Sequence, residues 1–320
     1  MGKYLLKRIG QMLLVVIIVT VVTFFMVDLV PGDPVIIVAG TEDLDQAQYD
    51  AIYYSLNLDK STPERFVLWV WNALHGDFGT SYVYNMPVWD IISQRVPYTL
   101  YLSILTMIIS VPIGVVLGII TAVKRKTKVD TTITLIANTL NCLPQFWIAV
   151  VLMYIFCLKL KALPLLGFDW PWKIGFANHV KRLILPAICL SLGGIAGFTR
   201  QTRSSMLEVI RQDYIRTAFS KGLTDKKVYF KHMMKNGLIP IVTILGGRLA
   251  HLIGGSMFVE NVFSIPGMGS LATKAIQTKD IPIIQAVVLI TTLVSCFAYI
   301  VTDVLYVVID PRISLTNSAE

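Results

Sequence analysis

Residues 216–240 read RTAFSKGLTDKKVYFKHMMKNGLIP. They are the longest charged stretch between two oily segments of the chain, and what they form decides how the rest is arranged. Residues 213–221 suit a helix, and Gly222 follows Lys221 as a C-terminal glycine would, with the lysine charge at the negative end of the helix dipole. Thr224 is placed to cap a second helix running to about Asn236, where Asn-Gly stops it and Pro240 opens the next segment. The pattern predicts a helical hairpin. Ile215, Ala218, Phe219 and Leu223 fall on one side of it, a stripe too narrow for a core and suited to a socket on another protein.

Outside this stretch the chain avoids water. Of its 320 residues 55% are hydrophobic and 15% charged, and the mean hydropathy is +0.66; soluble domains are roughly one-quarter charged. Crossing the hydrocarbon core takes about 20 apolar helical residues, because backbone groups cannot stay unpaired in lipid. Six stretches suffice: 9–30, 98–123, 131–158, 183–199, 237–259 and 281–309. The expected fold class is all-α, a polytopic membrane protein with six transmembrane helices. The fourth stretch is the weakest, being short and glycine-rich. The first is longer than the apolar run of a signal peptide and has no small-x-small cleavage site after it, so it reads as a retained anchor.

Orientation follows from Lys and Arg. With the N-terminus inside, 17 of the 28 basic residues fall on the cytoplasmic side, nine of them in 200–237. The loop 31–97 carries nine acidic residues against three basic ones. Both termini are therefore expected in the cytoplasm, and the chain in the cell membrane, plasma or inner. Lys159, Lys161, Lys173, Lys181 and Arg182 run against this rule. The asymmetry accounts for the net charge of +8 without a nucleic acid partner.

Within loop 31–97, Ser61 with Glu64 three residues on makes a capping box, Pro63 sits in the first turn, and Phe66, Val67, Val70, Trp71 and Leu74 recur at helical spacing until Gly76. Trp69 and Trp71 favour a helix lying at the membrane surface or over a pore mouth. Inside the spans, small residues repeat four apart at Gly114 and Gly118, at Gly193 and Gly197, and at Gly246, Ala250 and Gly254, which lets helix backbones approach closely. Prolines 112, 144, 186 and 240 predict kinks.

Several chemistries are excluded. Cys142, Cys157, Cys189 and Cys296 have neither paired spacing nor neighbouring ligands, so no disulfide framework and no metal site is expected. There is no Gly-x-x-x-x-Gly-Lys-Ser/Thr loop, no His-Glu-x-x-His and no Gly-x-Ser-x-Gly. The chain is not expected to be an enzyme. One polar pair stands at membrane depth: Arg248 and His251 lie three apart in the fifth span. A central arginine costs about 3 kcal/mol on insertion scales and points into a cavity or to a partner. The two are therefore candidates to line a translocation pathway and meet a carboxylate of the cargo. A structural ion pair, with another subunit or with Asp303, is the plainer account.

The stretch 216–240 resembles the coupling loop of the membrane permeases of ATP-binding-cassette importers, which carries Glu-Ala-Ala, three residues, Gly, nine residues, then Ile-x-Leu-Pro. Arg216, Thr217 and Ala218 stand in the first three places and Gly222 in the fourth; Met234 and Lys235 stand in the Leu-Pro places, and the proline comes only at Pro240. That departure is similar to the oligopeptide, dipeptide and nickel permease subfamily. LVPGDPV (29–35), GDFGTSY (76–82), PVWDII (87–92), ENVFSIPGMGSLATKAI (260–276) and DPRI (310–313) follow in the order of its first-subunit permease.

The resemblance implies a type I importer permease fold. It implies an N-terminal segment and first helix at 1–30, an extracytoplasmic loop at 31–97, a core permease domain at 98–313 with a coupling loop at 206–237, and a tail at 314–320. Arg216, Thr217, Ala218, Phe219, Gly222 and Leu223 would form the loop that seats in the ATPase. Glu260, near the outer end of its span where water or headgroups could solvate it, joins Pro266 and Gly267 as a candidate outer gate. The implied partners are a second homologous permease, two cytoplasmic ATPases and an extracytoplasmic binding protein. The chain would need no cofactor, ATP being bound by the partners. Short peptides are the implied cargo, with nickel or a nickel chelate as the alternative. An ion-coupled secondary transporter, with Arg248, His251 and Asp303 as coupling groups and 216–240 as an ordinary positive loop, is the reading from another class.

Overall fold

The computed structural model describes residues 2–309 except 30, 42, 238–240, 242, 243, 246 and 249–255. Among them the regular structure is helical, apart from one bridge between Thr80 and Pro87. Four helices are long and apolar enough to cross a membrane: Leu6–Val27 within Gly2–Asp28, Val88–Val123, Phe176–Val209, and Ile281–Val304 within Ile281–Ile309. Much of the predicted fifth span, 237–259, lies outside the described residues.

The predicted third span is not one rod. Lys128–Cys142 and Gln145–Lys159 meet at an angle of 99°. The reason is local: Leu143 before the proline is extended (φ −77°, ψ 134°), and Pro144, extended as well (φ −62°, ψ 132°), is the cap residue from which the second helix departs. The predicted fourth span, by contrast, is longer than its apolar run. Phe176–Val209 has 34 residues, roughly 50 Å of helix against a hydrocarbon core of about 30 Å. Its polar ends lengthen it, and Arg182 at one of them pairs with Asp169 at 2.8 Å.

The chain falls into two compact units. The first comprises residues 1–98 with 266–294. Here the sequence fragments 29–35, 76–82 and 87–92 prove to be structural joints. Asp33 caps the helix Pro34–Ala39 by accepting from the Val35 amide (2.9 Å), and it also accepts from the Tyr49 hydroxyl (2.9 Å). Glu64 accepts from both the Ser61 amide and the Ser61 hydroxyl at 3.0 Å, and Gly76 (φ +84°) lies just past the helix Thr62–Leu74. Asp280 is buried and accepts from the Ser81 hydroxyl (2.5 Å) and the Tyr82 and Val83 amides (3.3 and 3.2 Å), stapling the loop before Val88 to the start of Ile281–Ile309. Burial there pushes the Tyr82 phenol up to about 12. Val88, Ile91 and Ile92 close the core against Met268, Leu271, Ala275 and Ile283.

The second unit comprises residues 99–265 with 295–320. Its helices pack backbone to backbone. A β-carbon at Gly114 would stand 2.5 Å from Phe198 Cβ, and one at Gly118 would collide with Thr202, so this predicted pair does seat Val88–Val123 against Phe176–Val209. The other predicted pair is shifted. Gly193 is roomy, Gly194 is the glycine pressed on Ser110 (2.9 Å), and Gly197 carries the guanidinium of Arg248. His179 is a satisfied core residue, with its ring nitrogens 2.9 Å from the Tyr101 hydroxyl and 2.6 Å from the Asp169 carbonyl.

Candidate coupling hairpin and transport path

The stretch 213–237 folds as two helical arms. The first is Asp213–Ser220. It ends because Gly222 takes φ +74°, a left-handed conformation that costs a side chain dearly. The Gly222 amide donates to Phe219 O (2.9 Å) and the Leu223 amide to Ala218 O (3.4 Å), the paired bonds of a Schellman cap. The second arm begins after Thr224 and runs through Asp225–Lys227, a wider π turn at Val228–Met233, and Met234–Gly237.

Ile215, Ala218 and Leu223 of the apolar stripe face inward and only Phe219 stays exposed, which corrects the expectation of an open socket surface. Ile215 and Ala218 are buried and, with Val228 and Met233 of the second arm, enclose Ala122 and Met206 from the ends of two spanning helices. Leu223 packs on the same cluster. The arrangement follows from helix geometry: residues three apart share a face, and the buried face is the one with a core to meet. Arg216, Thr217, Phe219 and Gly222 are left exposed, together with Tyr214 and Lys221. Arg216 stands 4.0 Å from Asp213 with both side chains open to solvent, a pairing of little energetic weight. Among the described residues no atom beyond its chain neighbours lies within 4 Å of the place of a β-carbon on Gly222. The hairpin is also tied at its end: the Ser205 hydroxyl donates to Gly237 O at 2.8 Å, and Met206 presses on Gly237.

Arg248 is half-buried, and its guanidinium lies over Gly197 where any larger residue would collide with it. Arg200 is near enough for the two charges to repel. His251 lies outside the described residues. Glu260 departs from the expectation of a solvated outer-end carboxylate. It is 0% exposed and accepts from the Thr99 hydroxyl (2.8 Å) and the Ser256 hydroxyl (2.7 Å), as a buried carboxylate must. Pro266 is partly exposed, and Gly267 is the buried residue that precedes the helix Met268–Thr278.

Two features escaped the sequence reading. Asp130 and Arg203, 73 residues apart, form a two-point ion pair at 2.8 and 2.9 Å. Asp130 is nearly buried and accepts in addition from the Lys126 amide at 3.0 Å. Their only signal in the chain is a carboxylate in the first turn of a helix that follows four basic residues. The second feature is a cavity of about 620 Å³ along the same face of Phe176–Val209, lined by Arg200, Arg203 and Arg211 among others.

Comparison with known proteins agrees with this architecture. Residues 114–315 match the family described as binding-protein-dependent transport system inner membrane component, and residues 1–103 match its N-terminal companion. A putative peptide transport system permease protein of Brucella abortus (strain 2308) is 36% identical over 313 residues, covering 98% of this chain and 99% of the relative. The dipeptide transport system permease protein DppB of Escherichia coli (strain K12) is 33% identical over 335 residues, again covering 98% and 99%. Among solved structures, an inward-facing form of the MetNI methionine ABC transporter superposes with a TM-score of 0.55 at 16% identity, over 69% of this chain and 96% of that one, a likeness of fold. The chain belongs to the binding-protein-dependent transport system inner membrane components, the membrane permeases of ATP-binding-cassette importers.

Proposed function

We propose that this chain is the first permease subunit of an ATP-driven importer of short peptides, forming half of the translocation path. Its relatives of nearly full length are named as peptide and dipeptide permeases, which supports the cargo class. The observation that carries the mechanism is the hairpin's two-sided construction. Its inner face, Ile215, Ala218, Val228 and Met233, grips Ala122 and Met206 on two spanning helices. Its outer face, Arg216, Thr217, Phe219 and Gly222, is left open. A cytoplasmic ATPase seated on the outer face moves the hairpin as a lever when nucleotide closes it, and the inner face passes the motion to the helices. Packed interfaces of this kind switch between discrete arrangements, which alternating access requires.

The complete importer in this reading holds a second, homologous permease, two cytoplasmic ATPases that bind the ATP, and an extracytoplasmic binding protein that delivers cargo. Both termini face the cytoplasm. Arg248 and His251 line the path, and Glu260, Pro266 and Gly267 stand at its outer gate. Reconstituted vesicles test the scheme: peptide uptake is expected only with added ATPase subunits, binding protein and ATP. Uptake driven by an ion gradient with this chain alone would instead establish the secondary-transporter reading. In the same vesicles Arg248→Gln is expected to lower uptake by about tenfold, the loss of roughly one charge-assisted contact; unchanged uptake across substrates and pH removes Arg248 from the path.

A further inference from the structure

The 620 Å³ cavity in the second unit has a largely polar wall. Arg200, Arg203, Ser204 and Glu208 line it from Phe176–Val209, Arg211 from the turn that follows, and Thr134 and Asn138 from Lys128–Cys142. Arg200, Arg203, Ser204, Glu208 and Arg211 follow the apolar run 183–199, in the stretch that the charge distribution assigns to the cytoplasmic side. The three arginines are not equivalent. Arg203 is engaged by Asp130 through two hydrogen bonds. Arg211 has the opposite charge of Glu208 one turn away. Arg200 is exposed in the cavity and has no ion pair among the described residues, and a second guanidinium, Arg248, is close enough to repel it.

The Arg248 guanidinium lies over Gly197, three residues before Arg200, and an anion held at Arg200 offsets the repulsion between the two charges. A further donor is in place. Thr199 is 2% exposed and lines the cavity, and its hydroxyl has no hydrogen-bond partner among the described residues. A helical threonine ordinarily turns this hydroxyl to the carbonyl four residues back. The Arg200 guanidinium and the Thr199 hydroxyl on one cavity wall match a carboxylate, which accepts up to four hydrogen bonds.

We propose that Arg200, backed by Arg248 and Thr199, receives the free carboxylate of the transported peptide in this cavity, so that the permease itself favours cargo with an unblocked C-terminus. The inference rests on the peptide-permease reading. The site adds a specificity step after the binding protein has released its load. Arg203 is excluded from it by its clamp on Asp130.

The test uses the complete importer in lipid nanodiscs, carrying Ser204→Cys with Cys142, Cys157, Cys189 and Cys296 replaced. The thiol at 204 is labelled with the anionic reagent methanethiosulfonate ethylsulfonate and with the cationic ethyltrimethylammonium reagent, with and without tri-alanine or tri-alanine amide. The anionic reagent is expected to react about tenfold faster, as a focused positive field concentrates anions. Tri-alanine is expected to slow labelling and its amide is not. Arg200→Gln is expected to remove both the charge preference and the protection, while Arg200→Lys keeps the preference and weakens the protection.

Equal protection by the amide overturns the proposal. So does a thiol reactive in the isolated chain but closed in the complete importer, which makes the cavity a subunit interface. Protection that follows the phosphatidylglycerol content of the nanodisc rather than the peptide also overturns it, in favour of a lipid site. ATP-driven uptake of tri-alanine, measured with the same proteins in vesicles, separates the two levels. Uptake without protection refutes this site alone, and absence of ATP-driven uptake refutes the reading beneath it.

Discussion

At the residue scale, charges inside this protein are held by hydrogen bonds rather than by solvent. Glu260 has two hydroxyl donors, and Asp280 has a hydroxyl and two amides. Asp130 has an arginine fork and an amide. Of these partners only Ser256 and the Lys126 amide are near in sequence, each four residues from its carboxylate, so a reading of spacing alone could not find the rest. For Asp130 the consequence is measurable. Asp130→Asn leaves Arg203 without its countercharge and is expected to cost about 2 kcal/mol, less than a fully buried pair because the arginine is 32% exposed. Thermal unfolding in detergent should report it as a lowered melting temperature, with partial recovery in the double swap Asp130→Arg, Arg203→Asp. A melting temperature that does not move in the single variant removes the pair from the stability account.

At the element scale, the hairpin 213–237 was legible as helix, glycine and helix because capping chemistry is local. A cation and a glycine at the end of the first arm and a threonine before the second are readable from adjacent residues. Which face turns inward was not legible. Ile215 and Ala218 make an amphipathic stripe under either arrangement, and the presence of Ala122 and Met206, about 90 residues earlier and 10 residues earlier in the chain, decides it. The two sides of Gly222 can be separated by substitution. Gly222→Ala places a β-carbon in open space but in a left-handed backbone, so it is expected to weaken the cap by about 1 kcal/mol and lower transport modestly. Gly222→Trp has the same backbone strain plus bulk on the outer face. It is expected to abolish ATP-stimulated uptake and cross-linking to the ATPase while the permease still folds. Equal behaviour of the two variants, judged by uptake and melting temperature together, would show that nothing docks at this position.

At the scale of the whole molecule, the spread of lysines and arginines predicts a sidedness that protease access can check. Trypsin added to the cytoplasmic side of inside-out vesicles is expected to cut at the exposed Lys221 or Lys227, and added to the opposite side it is expected to cut within 31–97, at Lys60. Cleavage at Lys221 from the outer side reverses the topology. The chain's chemistry alone determined the membrane class, the helical content, the existence of the hairpin and the family, because apolar length, charge asymmetry and capping residues act over a turn or two of helix. The tertiary structure decided the rest: the break at Pro144, the 34-residue reach of Phe176–Val209, the grouping of 266–294 with 1–98, and the cavity in which Arg200 stands apart from Arg203. These depend on which distant surfaces meet. In a membrane, where lipid and core are equally oily, hydrophobicity does not announce which face of a helix meets protein; close fit and paired polar groups do.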